Sequence, residues 1–187
     1  MTSGTFLAIK DEMTEALKRR LKQARFASPQ QEALLSVAVA AGAINDLVDE
    51  ICERHGLTRS QYNVLRILRG VHPGGHPRCE VAQRMVERAP DVTRLVDRLQ
   101  ARGLVRRTRS GDDQRQAIAR ITPKGLRLLE TMQPELEEQT AIRLRKLSDK
   151  DCHELSRLCA LIFDDVEAIV PKIAEPSRGG RVRWPGR

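Results

Sequence analysis

RAPDVTRLVDRLQARGLVRRTRSGDDQRQAIARIT, residues 88–122, reads as one short helix followed by a β-hairpin. Val92, Leu95, Val96 and Leu99 recur at helical spacing and make one apolar face. The opposite face carries Asp91, Thr93, Arg94, Asp97, Arg98 and Arg102. Pro90 suits a first-turn position, where its missing N–H costs nothing, and Gly103 falls where a helix C-cap is expected. A strand over Leu104–Ser110, a turn at Gly111-Asp112-Asp113-Gln114 and a returning strand over Gln116–Thr122 follow. The stretch holds nine arginines against four aspartates, a net +5. A helix with an arginine-studded outer face beside a basic hairpin fits one groove of a duplex and straddles its neighbour. The expected fold is therefore mainly α with a small β-hairpin wing, and the expected partner is double-stranded DNA.

Working back from this stretch, Cys79–Val86 is expected to be a short helix with Val81, Ala82 and Met85 inward, preceded by a Gly/Pro-rich loop, GVHPGGHPR. Thr58-Arg59-Ser60-Gln61 is a capping-box pattern that starts a helix through Leu68 or Arg69, with Tyr62, Leu65 and Leu68 inward. Two short helices joined by a tight turn, the second with a polar outer face, make a helix-turn-helix. Earlier still, Pro29 opens a long helix to about His55, closed by Gly56. Its stripe of Leu34, Val37, Ala41, Ile44, Val48 and Ile51 is widened by Leu35, Val39 and Leu47, so it needs partners on more than one side. Residues 1–28 form an N-terminal extension in which Asp11–Arg25 is compatible with a helix, with a basic cluster at Lys18, Arg19, Arg20, Lys22 and Arg25. A solvated, partly frayed segment is the plainer reading of it, and a DNA-contacting arm the alternative.

Beyond the hairpin, Thr122-Pro123 gives an N-cap followed by proline at N1. The next helix should run to about Leu147, with Leu126, Leu129, Met132 and Leu136 on one face and a kink at Pro134. Ser148 should cap a last helix carrying Leu155, Leu158, Ile162, Val166 and Ile169, ended by Pro171. The organisation expected is an extension (1–28), a dimerisation helix (29–56), a winged helix-turn-helix domain (57–122), C-terminal dimerisation helices (123–171) and a basic tail (172–187) whose Gly/Pro/Arg composition predicts disorder.

The 187 residues are 40% hydrophobic and only 3% aromatic, a composition suited to Leu/Val/Ile/Ala helices packing on helices. The net charge of +8 favours an anionic partner without choosing between nucleic acid and a membrane surface. No run approaches the roughly 20 apolar residues of a membrane span, and the N-terminus has no signal-peptide pattern, so a cytoplasmic protein without membrane contact is expected. Cys52, Cys79, Cys152 and Cys159 form no CxxC and are expected as free thiols. Cys152 and Cys159 stand two turns apart, about 10 Å of rise, too far for a disulfide within one helix. His72, His76 and Cys79 put three potential zinc ligands within eight residues, but no fourth ligand or known spacing supports a metal site. No nucleophile elbow, HExxH, P-loop or GxGxxG appears, so no enzyme activity and no cofactor are expected.

Several linked motifs, in order, resemble the multiple-antibiotic-resistance-regulator (MarR) family of bacterial transcription factors. LTRSQYNVLRIL (57–68) resembles the family's second helix, and DVTRLVDRLQARGLVRR (91–107) its recognition helix and first wing strand. Asp113-Gln114-Arg115, then Arg120-Ile121-Thr122 and Lys124-Gly125, resemble its wing signature. The likeness spans Leu57 to about Val170. It implies a homodimer built from the first and last helices and a winged helix on a palindromic operator. It implies that Arg88 through Arg94, including Pro90, Asp91 and Thr93, face the major groove. Asp113 in the wing would orient an arginine, Arg115, toward the minor groove. Arg98, Arg109 and Gln114 complete the expected DNA-contacting set. The sequence departs from the family at Arg88, where a small capping hydroxyl is common, and at Asp91, where Ser or Thr often meets DNA. An aspartate there could accept from a cytosine amino group or simply favour the helix N-terminus.

The function implied is a homodimeric repressor released from its operator by a small-molecule effector of open identity. A constitutive or nonspecific DNA-binding protein, a winged helix turned to protein interaction, and a redox sensor working through Cys52 are the alternatives.

Overall fold

The computed structural model describes residues 15–86, 91–109 and 117–173. Residues up to Gln139 form one compact unit and those from Thr140 a second. Residues 15–21 are helical with Leu17 buried, within the Asp11–Arg25 span that the sequence makes compatible with a helix.

Ser28 caps helix α1 (Pro29–Arg54), its hydroxyl accepting the Gln31 N–H at 3.2 Å. The helix ends in a Schellman motif. Gly56 stands at φ +68°, Leu57 N–H donates to Cys52 C=O at 2.8 Å, and Gly56 N–H to Glu53 C=O at 2.9 Å. Helix α2 (Arg59–Gly70) begins with the predicted capping box. Thr58 Oγ1 accepts the Gln61 N–H at 3.2 Å and Gln61 Oε1 accepts the Thr58 N–H at 3.0 Å. Gln61 is buried, and the Thr58 N–H satisfies its side-chain oxygen there.

The Gly/Pro-rich loop is shorter than its composition suggests. His76–Pro77 forms strand β1, which adds a third strand to the hairpin. The antiparallel order is β1-β3-β2, where β2 is Val105–Arg109 and β3 is Ala117–Ile121. Pro77 is tolerated because β1 is an edge strand with no second neighbour to donate to. A side chain at Gly75 (φ +87°) would run into the Ala119 carbonyl, so only glycine lets the chain turn this close to β3.

Helix α3 spans Arg78–Gln83, starting one residue and ending three residues earlier than expected, and Ala82 faces solvent; Val81 alone of the three expected residues is fully buried. Helix α4 (Val92–Ala101) starts after Pro90, not with it. Asp91 is the N-cap, its carboxylate accepting the Arg94 N–H at 3.0 Å. A charged acceptor at the cap meets both the unpaired N–H groups and the helix dipole, so proline is not needed in the first turn. The far end repeats the α1 ending: Gly103 is at φ +68°, Leu104 N–H donates to Leu99 C=O at 3.0 Å, and Gly103 N–H to Gln100 C=O at 2.9 Å.

Thr122 then caps helix α5 (Pro123–Leu144), accepting the Gly125 N–H at 3.1 Å while its own hydroxyl lies 2.7 Å from Gly103 C=O. Pro134 is carried inside this helix. One core joins α1 to α5 through the sheet: Leu47, Ile51, Cys52, Val64, Leu65, Leu68, Val81, Val96, Leu99, Leu104, Val105, Ile121, Leu129 and Met132 are all buried in it. Glu135 ties the end of α1 to α5, bonding Arg54 at 2.5 Å and His55 at 3.4 Å. The Arg54 bond holds the Glu135 carboxyl below the usual carboxylate range.

In the second unit, Ser148 and Asp151 make a reciprocal cap for helix α6 (Asp149–Ile173): Ser148 N–H donates to Asp151 Oδ2 at 3.0 Å and Asp151 N–H to Ser148 Oγ at 3.3 Å. The helix does not stop at Pro171 but continues two residues to Ile173. A proline in the last turn removes a single backbone bond, so it weakens the helix end without setting it.

Candidate nucleic-acid interface

Helix α4 is positioned by its apolar face. Val92, Val96 and Leu99 are buried against α2, α3 and the sheet, which leaves Arg94, Asp97 and Arg98 exposed on the outer side. Thr93 is half-buried between these faces, and its hydroxyl is 2.8 Å from Arg78 Nη1, the donor. From the other side, Arg107 of β2 reaches Asp97 at 2.6 Å and donates weakly to Thr93 C=O at 3.5 Å. Recognition helix, preceding helix and sheet are thus pinned together by two arginines. Beside these bonds lies an open pocket of about 390 Å³ lined by Pro77, Arg78, Cys79, Thr93, Val96, Arg107, Ala117 and Ala119.

Of the expected DNA-contacting set, Asp91, Thr93, Arg94 and Arg98 come together on α4. Arg109 ends β2. Arg88, Pro90, Asp113, Gln114 and Arg115 lie outside the described residues. Asp91 caps the helix and also holds Arg94 through its Nε at 3.0 Å, so its carboxylate serves the helix first. Counting arginines overstates the free charge of the stretch. Arg102 donates to Gly56 C=O at 2.5 Å, and Arg120 bonds Thr108 Oγ1 at 3.1 Å and Pro73 C=O at 2.9 Å. These two hold the domain together. Arg98 and Arg106, by contrast, are exposed and make no ion pair among the described residues.

Sequence reading missed Arg78 and the Asp97–Arg107 pair as positioning groups. Neither has a signal in the linear chain, because each partner is brought in by the fold across ten or more residues.

Cys52 is fully buried, and desolvation, helped by Asp49, pushes its thiol up to about 11. Burial thus disfavours the thiolate that a redox sensor at this position would use. Among the described residues no three His, Cys, Asp or Glu side chains converge to hold a metal ion; His76 lies in β1 and Cys79 opens α3. No helix of the described residues is long and apolar enough to cross a membrane.

A three-helix core with a three-stranded sheet and an arginine-bearing, capped recognition helix defines a winged helix-turn-helix protein built for DNA. The MarR family matches residues 55–116. A MarR transcription factor from Planctomyces limnophilus is 39% identical, with a TM-score of 0.56 over 73% of this chain and 99% of that one. The HTH-type transcriptional regulator MhqR of Bacillus subtilis (strain 168) is 28% identical over 122 residues, 64% of this chain and 83% of its own. The S. aureus MepR–DNA complex shares the fold at 18% identity, with a TM-score of 0.62 over 69% of this chain and 94% of that one. The chain belongs to the MarR family of transcriptional regulators.

Proposed function

We propose that the protein is a homodimeric repressor that grips a palindromic operator and is released from it by a small-molecule effector. The observation that carries the reading is the outer face of α4, where Arg94 and Arg98 stand exposed on a helix fixed by Arg78, Asp97 and Arg107. A rigid, basic helix face can enter a major groove without first paying to order itself. MepR, which has this fold, was solved with DNA. In this reading Asp91, Thr93, Arg94 and Arg98, with Arg88 and Pro90 just before them, face the major groove. Arg109, Asp113, Gln114 and Arg115 belong to the wing and its minor-groove contact.

Dimerisation is supported by apolar side chains that the single chain leaves in water. Leu34, Val37 and Ile44 are exposed on α1, and within the second unit Leu155, Leu158, Leu161, Ile162 and Phe163 are exposed on α6. Helix faces this apolar ask for a protein partner, and a second copy places two recognition helices on one duplex. Effector response is supported by the open pocket beside α4, whose lining residues Thr93 and Arg107 also hold the recognition helix. A molecule that bound one arrangement of these residues better than another would shift DNA affinity by that difference.

The test is a titration of the protein into a labelled fragment of its own upstream region, against shuffled competitor, at two salt concentrations. Tight binding that survives competitor, with one dimer per palindrome, is expected. Binding that competitor abolishes would replace the proposal with a nonspecific DNA-binding protein.

A further inference from the structure

Arg94 is 79% exposed, yet its side chain is held. Asp91 Oδ1 accepts the Arg94 backbone N–H at 3.0 Å, and Asp91 Oδ2 pairs with Arg94 Nε at 3.0 Å. The first bond caps the helix, and Ser, Asn or Thr would make it as well. The second has no capping purpose. It takes the guanidinium donor nearest the stem and, among the described residues, leaves both Nη groups without an ion-pair partner at the far end. Two Nη donors in a plane match O6 and N7 of guanine, the pairing that a major groove offers only at that base. A guanidinium already fixed at Nε loses less rotational freedom in making those two bonds. Arg98, one turn along, has no such brace among the described residues, which suits it to phosphate.

We propose that Asp91 is a positioning residue that aims Arg94 at a guanine in each half-site, so that this base is read by the pair and not by the arginine alone. The inference rests on the DNA-binding reading above. It explains why an acid occupies a helix end that faces a polyanion: its charge is answered by Arg94 before DNA arrives.

The experiment selects binding sites for the full chain from a randomised duplex library, then titrates single duplexes. Wild type is expected to fix a guanine at one position of each half-site. Replacing it by 7-deazaguanine, which lacks the N7 acceptor, should weaken binding about tenfold. D91S keeps a capping hydroxyl, and so its melting temperature, but loses the brace. Its 7-deazaguanine penalty should fall below about threefold, and the guanine should no longer be fixed. D91N, which also caps but presents an amide NH2 where Oδ2 stood, should match D91S. R94K, with the charge but not the fork, should lose the guanine while Asp91 is intact. If D91S and D91N keep the full penalty and the same selected base, the positioning role is overturned and the DNA-binding reading stands. If wild type enriches no sequence at all, both fall.

Discussion

Arg107 Nη2 and Asp97 Oδ1 stand 2.6 Å apart, joining the first wing strand to the exposed edge of the recognition helix. The helix is therefore gripped from outside as well as packed from inside. Because both side chains are partly solvated, the pair is worth about 1 kcal/mol or less in stability. Its value lies in alignment, since a recognition helix that rocks on its core misplaces every base contact at once.

D97A is accordingly expected to lower the melting temperature by no more than about 2–4 °C. Its operator affinity should drop several-fold. R107A in the D97A background should add little, because the two act as one link. A double-mutant cycle in operator titration reads this directly, and fully additive losses would show that Asp97 and Arg107 work independently.

Gly125 sits in the first turn of α5 with no room for a methyl group. A Cβ there would stand 2.5 Å from the Leu104 carbonyl and 2.8 Å from Ile121 Cγ1. Leu104 and Ile121 are both buried, so neither side can yield cheaply. G125A should destabilise by about 1–3 kcal/mol, seen as a lower denaturant midpoint at unchanged slope. An unchanged midpoint would mean that α5 can slide away from the wing at no cost.

Local chemistry made much of this architecture readable from the chain alone. The Thr58–Gln61 box, the glycines at 56 and 103, and the Thr122 cap each act within five residues, and each forms as its spacing requires. What escaped reading was non-local. Strand β1 exists because Gly75 allows close approach to Ala119, more than forty residues on, and nothing in HPR announces a strand. The arginines divide the same way. Arg102 and Arg120 add to the arginine count of the stretch in sequence but are bonded to carbonyls of Gly56 and Pro73. At Pro90 a general preference for proline in the first turn lost to a stronger local one, the Asp91 carboxylate.

Cys52 should resist alkylation in the native protein at pH 8, whereas exposed Cys79 should label quickly; mass mapping of modified peptides distinguishes them. The raised Cys52 value also sets a pH effect. Below about pH 9 the thiol is protonated in folded and unfolded chains alike, and its contribution to stability is intact. Above that, the unfolded chain sheds the proton first, so stability falls as pH rises toward about 11. C52A should flatten this alkaline slope relative to wild type. Rapid labelling of Cys52 at pH 8 without unfolding would contradict its burial.

Leu34 and Ile44 are 67% and 51% exposed on α1, while the buried part of the same helix begins only at Leu47. The helix thus has two jobs along its length. Its last two turns complete the winged-helix core, and its first part presents an apolar stripe to something else. Placing charge there separates the two. L34D/I44D should leave the core folded, with a cooperative melt close to wild type, because neither side chain contributes to it. The wild type should scatter light as a dimer and the variant as a monomer. A monomer places one recognition helix on one half-site and gives up the linkage that makes the second contact intramolecular. Operator affinity should therefore fall by at least about a hundredfold, with half-site binding retained. A variant that remains dimeric would move the interface off α1, and a monomeric wild type would remove the homodimer from the proposed function.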